Sequence, residues 1–331
     1  MELALVIAVV LIALAFDYTN GFHDAANAIA SSVSTRALTP RTALALAAVM
    51  NLAGALISEG VAETIGSGII TPETDAHGMT VVLSGLVGAI SWNLLTWWLG
   101  LPSSSSHALI GGLIGAGLAA SATVHWATIG KKVVLPMVLS PLIGFLLAYV
   151  VMLSLLWIFR KANPNRAYRG FRAGQSVSAA AMAFGHGLQD AQKTMGVIVL
   201  ALVTAGLHTG TDVPLWVKLA AATAIALGTY SGGWRIMRTL GRRVIKLDPA
   251  RGIAADSTAS AVLYVMAIGF HAPVSTTHTV SAAIMGVGST QRLSAVRWGV
   301  AGNIVTAWVL TIPAAAAVAA VVYYAARLFL P

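Results

Sequence analysis

The chain contains long apolar runs in which polar residues do not alternate. Two of these runs, Val133 to Phe159 and Gly299 to Tyr324, carry no charged residue. About 20 apolar residues in a helix are enough to cross the ~30 Å hydrocarbon core of a bilayer. A membrane-spanning strand would instead show alternation over segments of about ten residues. Because 57% of the residues are hydrophobic and only 9% are charged, the sequence predicts an all-α polytopic membrane protein.

Basic residues are concentrated in short segments between the apolar runs, as the positive-inside rule predicts for cytoplasmic loops. We therefore attribute the net charge of +9 to membrane topology and not to a nucleic-acid surface. The segment from Glu59 to Gly78 has four acidic residues and no Lys or Arg, and we expect it to lie outside. The two basic segments contain Arg160, Lys161, Arg166, Arg169 and Arg172 in one, and Arg235, Arg238, Arg242, Arg243, Lys246 and Arg251 in the other.

These charges divide the chain into two transmembrane repeats of about five segments each. Residues 1–159 form the first repeat, residues 160–172 a basic cytoplasmic linker, and residues 173–331 the second repeat. Because five is odd, the repeats are predicted to insert with inverted topology. The predicted segments are Glu2–Ser34, Thr42–Ser58, Met79–Gly100, Ser103–Ser121 and Val133–Phe159, then Ala173–Leu207, Pro214–Gly233, Asp256–His271, Val274–Val287 and Gly299–Tyr324. The segments that begin after Pro102 and Pro273 are either full crossings or re-entrant.

A pair of polar motifs occurs once in each repeat. An Asp-centred segment, around Asp24 or Asp190, is followed by a Pro-led run of hydroxyl residues that ends in His107 or His278. The Asp and the His lie 83 residues apart in the first copy and 88 residues apart in the second. Ionisable residues inside the membrane are costly and are functional by default. We therefore predict that the two copies build one central site.

The Asp segments are also predicted to interrupt their helices. The apolar run Leu3 to Phe16 stops at the polar stretch Asp17 to Gly21 before apolar sequence resumes. Unwound backbone at membrane depth is tolerated where it lines a cavity, and matched interruptions mark transporter sites. We expect discontinuous or re-entrant helices at the centre, with Asp17 either capping the first break or serving the site.

The hydroxyl runs favour an oxyanion ligand. Pro102 and Pro273 each precede several hydroxyl residues, the pattern of a helix N-terminus whose free N–H groups bind anions. Lys193 is the cation nearest the motifs, and Asp24 and Asp190 are suited either to accept the O–H of hydrogenphosphate or to hold a coupling cation. His107 and His278 serve the coupling cation or only orient the runs. The hydroxyl donors are Ser103, Ser104, Ser105, Ser106, Ser275, Thr276 and Thr277.

The motif segments resemble the four signature segments of the inorganic phosphate transporter (PiT) family, particularly its bacterial low-affinity members. The resemblance covers nearly the whole chain and is carried by Asn20–Ala28, Leu101–Gly112, His186–Gly196 and Pro273–Gly288. It implies secondary active phosphate uptake, driven by protons or sodium, with inverted repeats and a site in the middle of the membrane. The matching site residues are Asp24, Asn27, Asp190, Ser104, Ser105, Ser106, Ser275, Thr276 and Thr277.

The chain departs from this family's pattern at several positions. His23 precedes the first Asp where sodium-coupled relatives have Asn, Gln189 precedes the second Asp in place of Asn, and Gln192-Lys193 replaces the Ala-Asn of eukaryotic members. These changes favour proton over sodium coupling. Acidic positions of the eukaryotic members fall on Asn51 and Asp256, although Asp256 also suits an N-cap at the start of its span.

The expected protein is thus a multi-pass phosphate symporter of the cytoplasmic membrane, whose partners are inorganic phosphate and the lipid bilayer. No nucleophile and base set and no cofactor motif is evident, so we do not expect an enzyme. The absence of cysteine excludes disulfides and thiolate metal sites. A sulfate permease of the same fold, a channel, sodium coupling, transport of a metal phosphate and a homo-oligomer stay open at this point.

Overall fold

The computed structural model describes residues 2–329, which are almost entirely helical. The helices of the first half are α1 Glu2–Ser34, α2 Pro40–Ala55, α3 Gly60–Gly68, α4 Ala76–Leu99, α5 Ser105–Ala119, α6 Trp126–Thr128 and α7 Leu135–Ile158. Those of the second half are α8 Pro164–Thr204, α9 Leu215–Ser231, α10 Trp234–Arg238, α11 Pro249–Tyr264, α12 Thr276–Ser289 and α13 Trp298–Ala326. Two short strands, β1 Ile70–Thr71 and β2 Thr123–Val124, pair antiparallel. Wider π-helical turns at Ile129–Val134, Thr239–Val244 and Val265–Gly269 and a 3₁₀ turn at Leu293–Ala295 complete the chain.

Five of the described helices are long and apolar enough to cross a membrane, and the pair α2 and α3 adds a sixth span if the two are counted together. The axes of α2 and α3 differ by 70°. Helix α5 has 15 residues and α12 has 14, or about 21–23 Å at 1.5 Å per residue. Neither is long enough to cross the hydrocarbon core, which agrees with the re-entrant alternative for these two segments.

Helices α1 and α8 are continuous through their Asp motifs, so the predicted interruption of both helices is wrong. Helix α1 runs from Glu2 to Ser34 and α8 from Pro164 to Thr204. The backbone groups of both helices are satisfied internally, which is the requirement that membrane depth imposes. Their polar side chains are instead buried against neighbouring helices, so the polar stretch at Asp17 does not require unwinding.

The chain does break at the two hydroxyl runs, where α4 turns into α5 and α11 turns into α12. Helix α4 ends at Gly100 in the left-handed conformation (φ 70°), and the Gly100 carbonyl accepts a hydrogen bond of 2.8 Å from Thr239 Oγ1. Helix α5 begins at Ser105, five residues after Gly100, and α12 begins at Thr276, after the segment that contains Pro273. Each hairpin therefore places a helix N-terminus inside the protein.

Helix boundaries differ from the predictions near the two basic segments. Helix α8 begins at Pro164 with Asn163 as its N-cap, so residues 164–172 of the predicted linker are helical. Asp256 lies inside α11, and the N-cap of that helix is Asp248, whose side chain accepts a hydrogen bond from the Arg251 N–H. The N-cap interpretation of Asp256 is therefore wrong.

In the described residues, a layer of polar side chains lies between the two large apolar clusters of the core. One cluster contains the first half of α1 up to Phe16 together with α4, α5 and the end of α8. The other contains α1 from Ala25 onward together with α11, α12 and the middle of α8. The motif residues of α1 and α8 lie between these clusters, where the tips of the two hairpins also meet.

Candidate functional site

The two motif aspartates converge at the centre of the protein. One carboxylate oxygen of Asp24, one of Asp190 and a ring nitrogen of His186 all lie within 4.8 Å of one another. Asp24 is 1% exposed and Asp190 is fully buried. The structure therefore brings the two motif aspartates, one from each half of the chain, next to each other.

Asp24 accepts hydrogen bonds from both hairpin tips. Ser105 Oγ of the first tip donates to Asp24 Oδ2 at 2.9 Å, and Thr277 Oγ1 of the second tip lies 3.2 Å from Asp24 Oδ1. The neighbouring His23 Nδ1 lies 2.6 Å from Oδ1. Asn27, one turn further along α1, donates through Nδ2 to Thr277 Oγ1 at 2.9 Å. Asp24 thus connects α1 to the tips of both halves.

Asp190 is paired with a buried cation. Lys193, one turn along α8, forms an ion pair with Asp190 Oδ1 and also donates to Ser106 Oγ. Lys193 Nζ reaches the Val274 carbonyl at 3.2 Å, and Thr276 Oγ1 donates to Asp190 Oδ2 at 3.1 Å. The ammonium group therefore sits between the two hairpin tips, each of which provides it with an oxygen.

The six predicted hydroxyl ligands divide into two roles. Ser104 and Ser275 are the N-caps of α5 and α12, and accept backbone hydrogen bonds from His107 at 3.2 Å and from His278 at 3.1 Å. A capping hydroxyl satisfies the helix terminus and leaves the next N–H groups free. The hydroxyls that reach the charged groups of the site are those of Ser105, Ser106, Thr276 and Thr277.

His107 and His278 contact each other and not the carboxylates in the part of the chain that the structure describes. Their ring centroids are 4.8 Å apart in an edge-to-face arrangement, and the His278 ring stacks on Trp308 at 4.0 Å. The histidines that lie against the two aspartates of the central site are His23 for Asp24 and His186 for Asp190. The structure thus brings the predicted aspartates, Lys193 and hydroxyls together but places the two predicted histidines beside them.

Sequence reasoning did not identify which residues hold the two aspartates in position. His23 Nε2 lies 3.2 Å from Thr96 Oγ1, and Thr96 Oγ1 lies 2.7 Å from Ser103 Oγ. His186 lies 2.9 Å from Asp190 Oδ2 through Nε2 and 3.2 Å from Asn51 Oδ1 through Nδ1. The spacing of His186 and Asp190, four residues apart, was a usable signal, because such residues share a helix face.

Glycines of the Asp motifs allow the helices to pack closely and do not face the central site. A Cβ on Gly21 of α1 would collide with the Ile225 carbonyl of α9, and a Cβ on Gly187 of α8 would collide with the Asn51 carbonyl of α2. Small residues of this kind let membrane helices approach each other through their backbones. The motif glycines therefore position the site indirectly.

A second buried acidic group, Asp256 of α11, lies away from the paired aspartates. Its Oδ2 accepts a hydrogen bond from Ser31 Oγ at 2.6 Å and lies 3.4 Å from Ser178 Oγ, whereas Oδ1 has no hydrogen-bond partner among the described residues. Ser31 is seven residues beyond Asp24, or about 10 Å along α1. Asp256 is thus connected to the helix of the central site but belongs to a separate polar cluster.

The comparisons with known proteins all match phosphate transporters. Residues 20–319 match the profile described as the phosphate transporter family. A protein of Bacillus subtilis (strain 168) named "Probable low-affinity inorganic phosphate transporter" is 47% identical over 97% of this chain and 97% of its own length. A protein of the same name from Rhizobium meliloti (strain 1021) is 48% identical over 98% of this chain and 97% of its own length. A solved structure titled "The sodium-dependent phosphate transporter" superposes with a TM-score of 0.89 at 26% identity, covering 99% of this chain and all of that one.

Proposed function

Because this chain belongs to the phosphate transporter family, we propose that it imports inorganic phosphate by symport with a cation, and that the cation is a proton. Members of this family are permeases and not enzymes, so the chain is a transporter that resides in the cytoplasmic membrane as a multi-pass protein. Transport has to move a hydrated anion through an apolar core, which requires a buried site that replaces the hydration shell.

The observation that best supports phosphate as the substrate is the convergence of two capped helix N-termini on a pair of carboxylates. The hydroxyls of Ser105, Ser106, Thr276 and Thr277 provide hydrogen-bond donors, and the first N–H groups of α5 and α12 add the anion preference of a helix N-terminus. An ionised carboxylate accepts the O–H of hydrogenphosphate, whereas sulfate has no proton to donate. Asp24 and Asp190 therefore favour phosphate over sulfate as the tetrahedral anion.

Lys193 supports a proton over sodium. Its ammonium group already compensates Asp190 and contacts an oxygen of each hairpin tip. A bound sodium ion would need those same oxygens and would be repelled by the fixed charge. The neighbour whose title names sodium dependence is 26% identical, so its coupling ion is a separate question from that of this chain.

The paired architecture supports alternating access between inverted repeats. Helices α1 and α8 carry the two Asp motifs, and α5 and α12 begin with the same Ser cap. Helix α4 starts beside the acidic segment through its N-cap Asp75, while α11 starts beside the basic segment through Asp248. The site residues are at most 2% exposed, as expected for an occluded state between outward-open and inward-open forms.

Uptake of labelled phosphate into proteoliposomes tests this proposal. A proton gradient and a sodium gradient are imposed separately, and excess sulfate is added as competitor. We expect accumulation driven by the proton gradient and insensitive to sulfate. Accumulation driven only by sodium would show that the coupling ion is sodium. Strong sulfate competition followed by uptake of labelled sulfate would show that the substrate is sulfate.

A further inference from the structure

A third polar cluster lies on α1, seven residues before Asp24. Asp17 is fully buried, and neither of its carboxylate oxygens has a hydrogen-bond partner among residues 2–329. Its polar neighbours are Asn20 of the same helix and Thr194 of α8. The amide oxygen and nitrogen of Asn20 and the hydroxyl of Thr194 are buried and unpartnered in the described structure as well. Five buried polar atoms of these three side chains are thus without a clear hydrogen-bond partner in the described residues.

This cluster is not explained by the phosphate site. Buried polar groups of proteins are nearly always paired, and each exception calls for a reason such as a ligand or a functional role. Within a membrane protein the cost of an unpaired carboxylate is higher still, because no bulk water is available to solvate it. Asp17 does not cap a helix, since α1 continues through it.

The charged groups that act on Asp17 are Asp190 and Lys193, both from α8. The Lys193 ammonium is already engaged by Asp190 and by Ser106, so Asp17 is left without a cation of its own. The side chains of residues 17, 20 and 24 follow one face of α1, because positions three and seven residues apart share a helix face. Asp17 therefore stands about 10 Å from Asp24 along that face, toward the end of α1 that meets the acidic segment at Thr74 and Asp75.

We propose that Asp17 is the group that carries the coupling proton, separately from the phosphate site, and that Asn20 and Thr194 hydrogen-bond to its carboxyl group. The Asp17 carboxylate accepts one proton from water on the side of the acidic segment and becomes a neutral carboxylic acid. It returns that proton to water when the site opens to the other side. This inference rests on the proposed proton symport and names the residue on which that coupling depends.

The test uses the full-length chain in proteoliposomes and separates coupling from phosphate movement. One assay measures accumulation of labelled phosphate driven by an imposed proton gradient. The other measures exchange of labelled external phosphate for unlabelled internal phosphate at equal pH, which requires no net proton movement. We expect Asp17→Asn to keep exchange within about twofold of wild type but to lose gradient-driven accumulation by ~tenfold or more. Asp17→Glu should restore accumulation, and Asp212→Asn, at a side chain that is 77% exposed, is the matched control.

The outcomes distinguish the inference from the function on which it rests. Normal accumulation by Asp17→Asn overturns the role of Asp17 and leaves proton symport standing. Loss of exchange together with accumulation, with no rescue by Asp17→Glu, also overturns it, because the residue would then act in phosphate binding or in folding. If the wild-type chain accumulates phosphate only under a sodium gradient, the proton symport itself is overturned, whatever the variants do.

Discussion

One carboxylate oxygen of Asp24 lies within 4.8 Å of one carboxylate oxygen of Asp190, although the two residues belong to different halves of the chain. Two ionised carboxylates at that separation repel each other in a low-dielectric interior. Lys193 offsets part of this repulsion on the Asp190 side, while Asp24 has His23 and two hydroxyl donors. The two aspartates therefore differ in how their charge is compensated.

Replacing Asp24 by Asn should abolish transport without unfolding the protein. The amide oxygen of Asn can still accept one of the two hydrogen bonds that Ser105 and Thr277 donate to separate oxygens of Asp24, but the side chain loses the charge that accepts the O–H of hydrogenphosphate. We expect phosphate uptake by Asp24→Asn to fall by ~100-fold or more while its amount in the membrane is unchanged. Uptake is measured with labelled phosphate, and expression is measured by immunoblot. Uptake at the wild-type rate would show that Asp24 does not belong to the substrate site.

The ion pair between Lys193 and Asp190 should stabilise the fold as a pair and not as two separate charges. Removing one partner of a buried ion pair leaves an uncompensated charge and typically costs ~3–5 kcal/mol. We expect Lys193→Met alone and Asp190→Asn alone to lower the melting temperature in detergent. The double variant should recover most of that loss and still fail to transport. A double variant that is less stable than both single variants would contradict this coupling.

Lys193→Asn should convert the site toward sodium dependence. The substitution removes the ammonium group beside Asp190 and supplies an amide oxygen, the ligand type that hard cations prefer. We expect sodium chloride, but not choline chloride, to raise the melting temperature of this variant. A bound cation stabilises by about 1.4 kcal/mol for each tenfold excess of its concentration over Kd. Equal effects of the two salts would argue that Lys193 does not occupy a cation position.

Much of this site is predictable because its motifs occur twice in the sequence. The Asp motifs and hydroxyl runs are short polar segments within apolar sequence. Because they occur twice, they can be distinguished from ordinary polar residues in helices. The pairing of His186 with Asn51 and of Lys193 with Ser106 depends on how distant parts of the chain pack together. No local spacing contains such a contact, so which residue pairs with which could not be identified from the sequence.

The continuity of α1 and α8 could not be predicted for a related reason. Hydropathy along the chain reports which residues are polar, but it does not report whether neighbouring helices provide partners for them. Asn51, for example, donates to Thr229 Oγ1 at 2.7 Å and also lies against His186. With such partners available, the polar motif segments around Asp24 and His186 stay helical. The breaks occur instead at Pro102 and Pro273, where a missing backbone N–H and a Ser cap begin a new helix.

The hydroxyls at the hairpin tips should separate into stability and binding effects. Ser104→Ala and Ser275→Ala remove N-caps, a change that typically costs ~1 kcal/mol, and should lower the melting temperature. Ser105→Ala and Thr277→Ala leave the caps intact but remove donors at Asp24, so they should raise KM for phosphate several-fold, by the ~1 kcal/mol that one hydrogen bond contributes. The two pairs are compared by thermal unfolding and by uptake kinetics. Equal KM changes in all four variants would contradict this division.

Close packing of α1 against α9 should make Gly21 intolerant of any side chain. A Cβ at this position would collide with the Ile225 carbonyl, which belongs to backbone and has little room to move. We expect Gly21→Ala to destabilise the protein by about 1–3 kcal/mol, the range seen for overpacked sites. Gly302→Ala is the matched control, since no heavy atom lies within 4 Å of its Cβ position. Comparable thermal stability of the two variants would remove this explanation for the glycine in the motif.

The orientation of the chain in the membrane is testable because the sequence contains no cysteine. We expect a cysteine at Thr74, within the acidic segment, to react with a membrane-impermeant maleimide added outside intact cells. A cysteine at Asn165, in the basic first turn of α8, should react only after the cells are opened. The charge distribution supports this orientation, because cytoplasmic segments carry the excess of Lys and Arg. Labelling of Asn165→Cys and not Thr74→Cys in intact cells would invert the topology, and the coupling proton would then reach Asp17 from the cytoplasm.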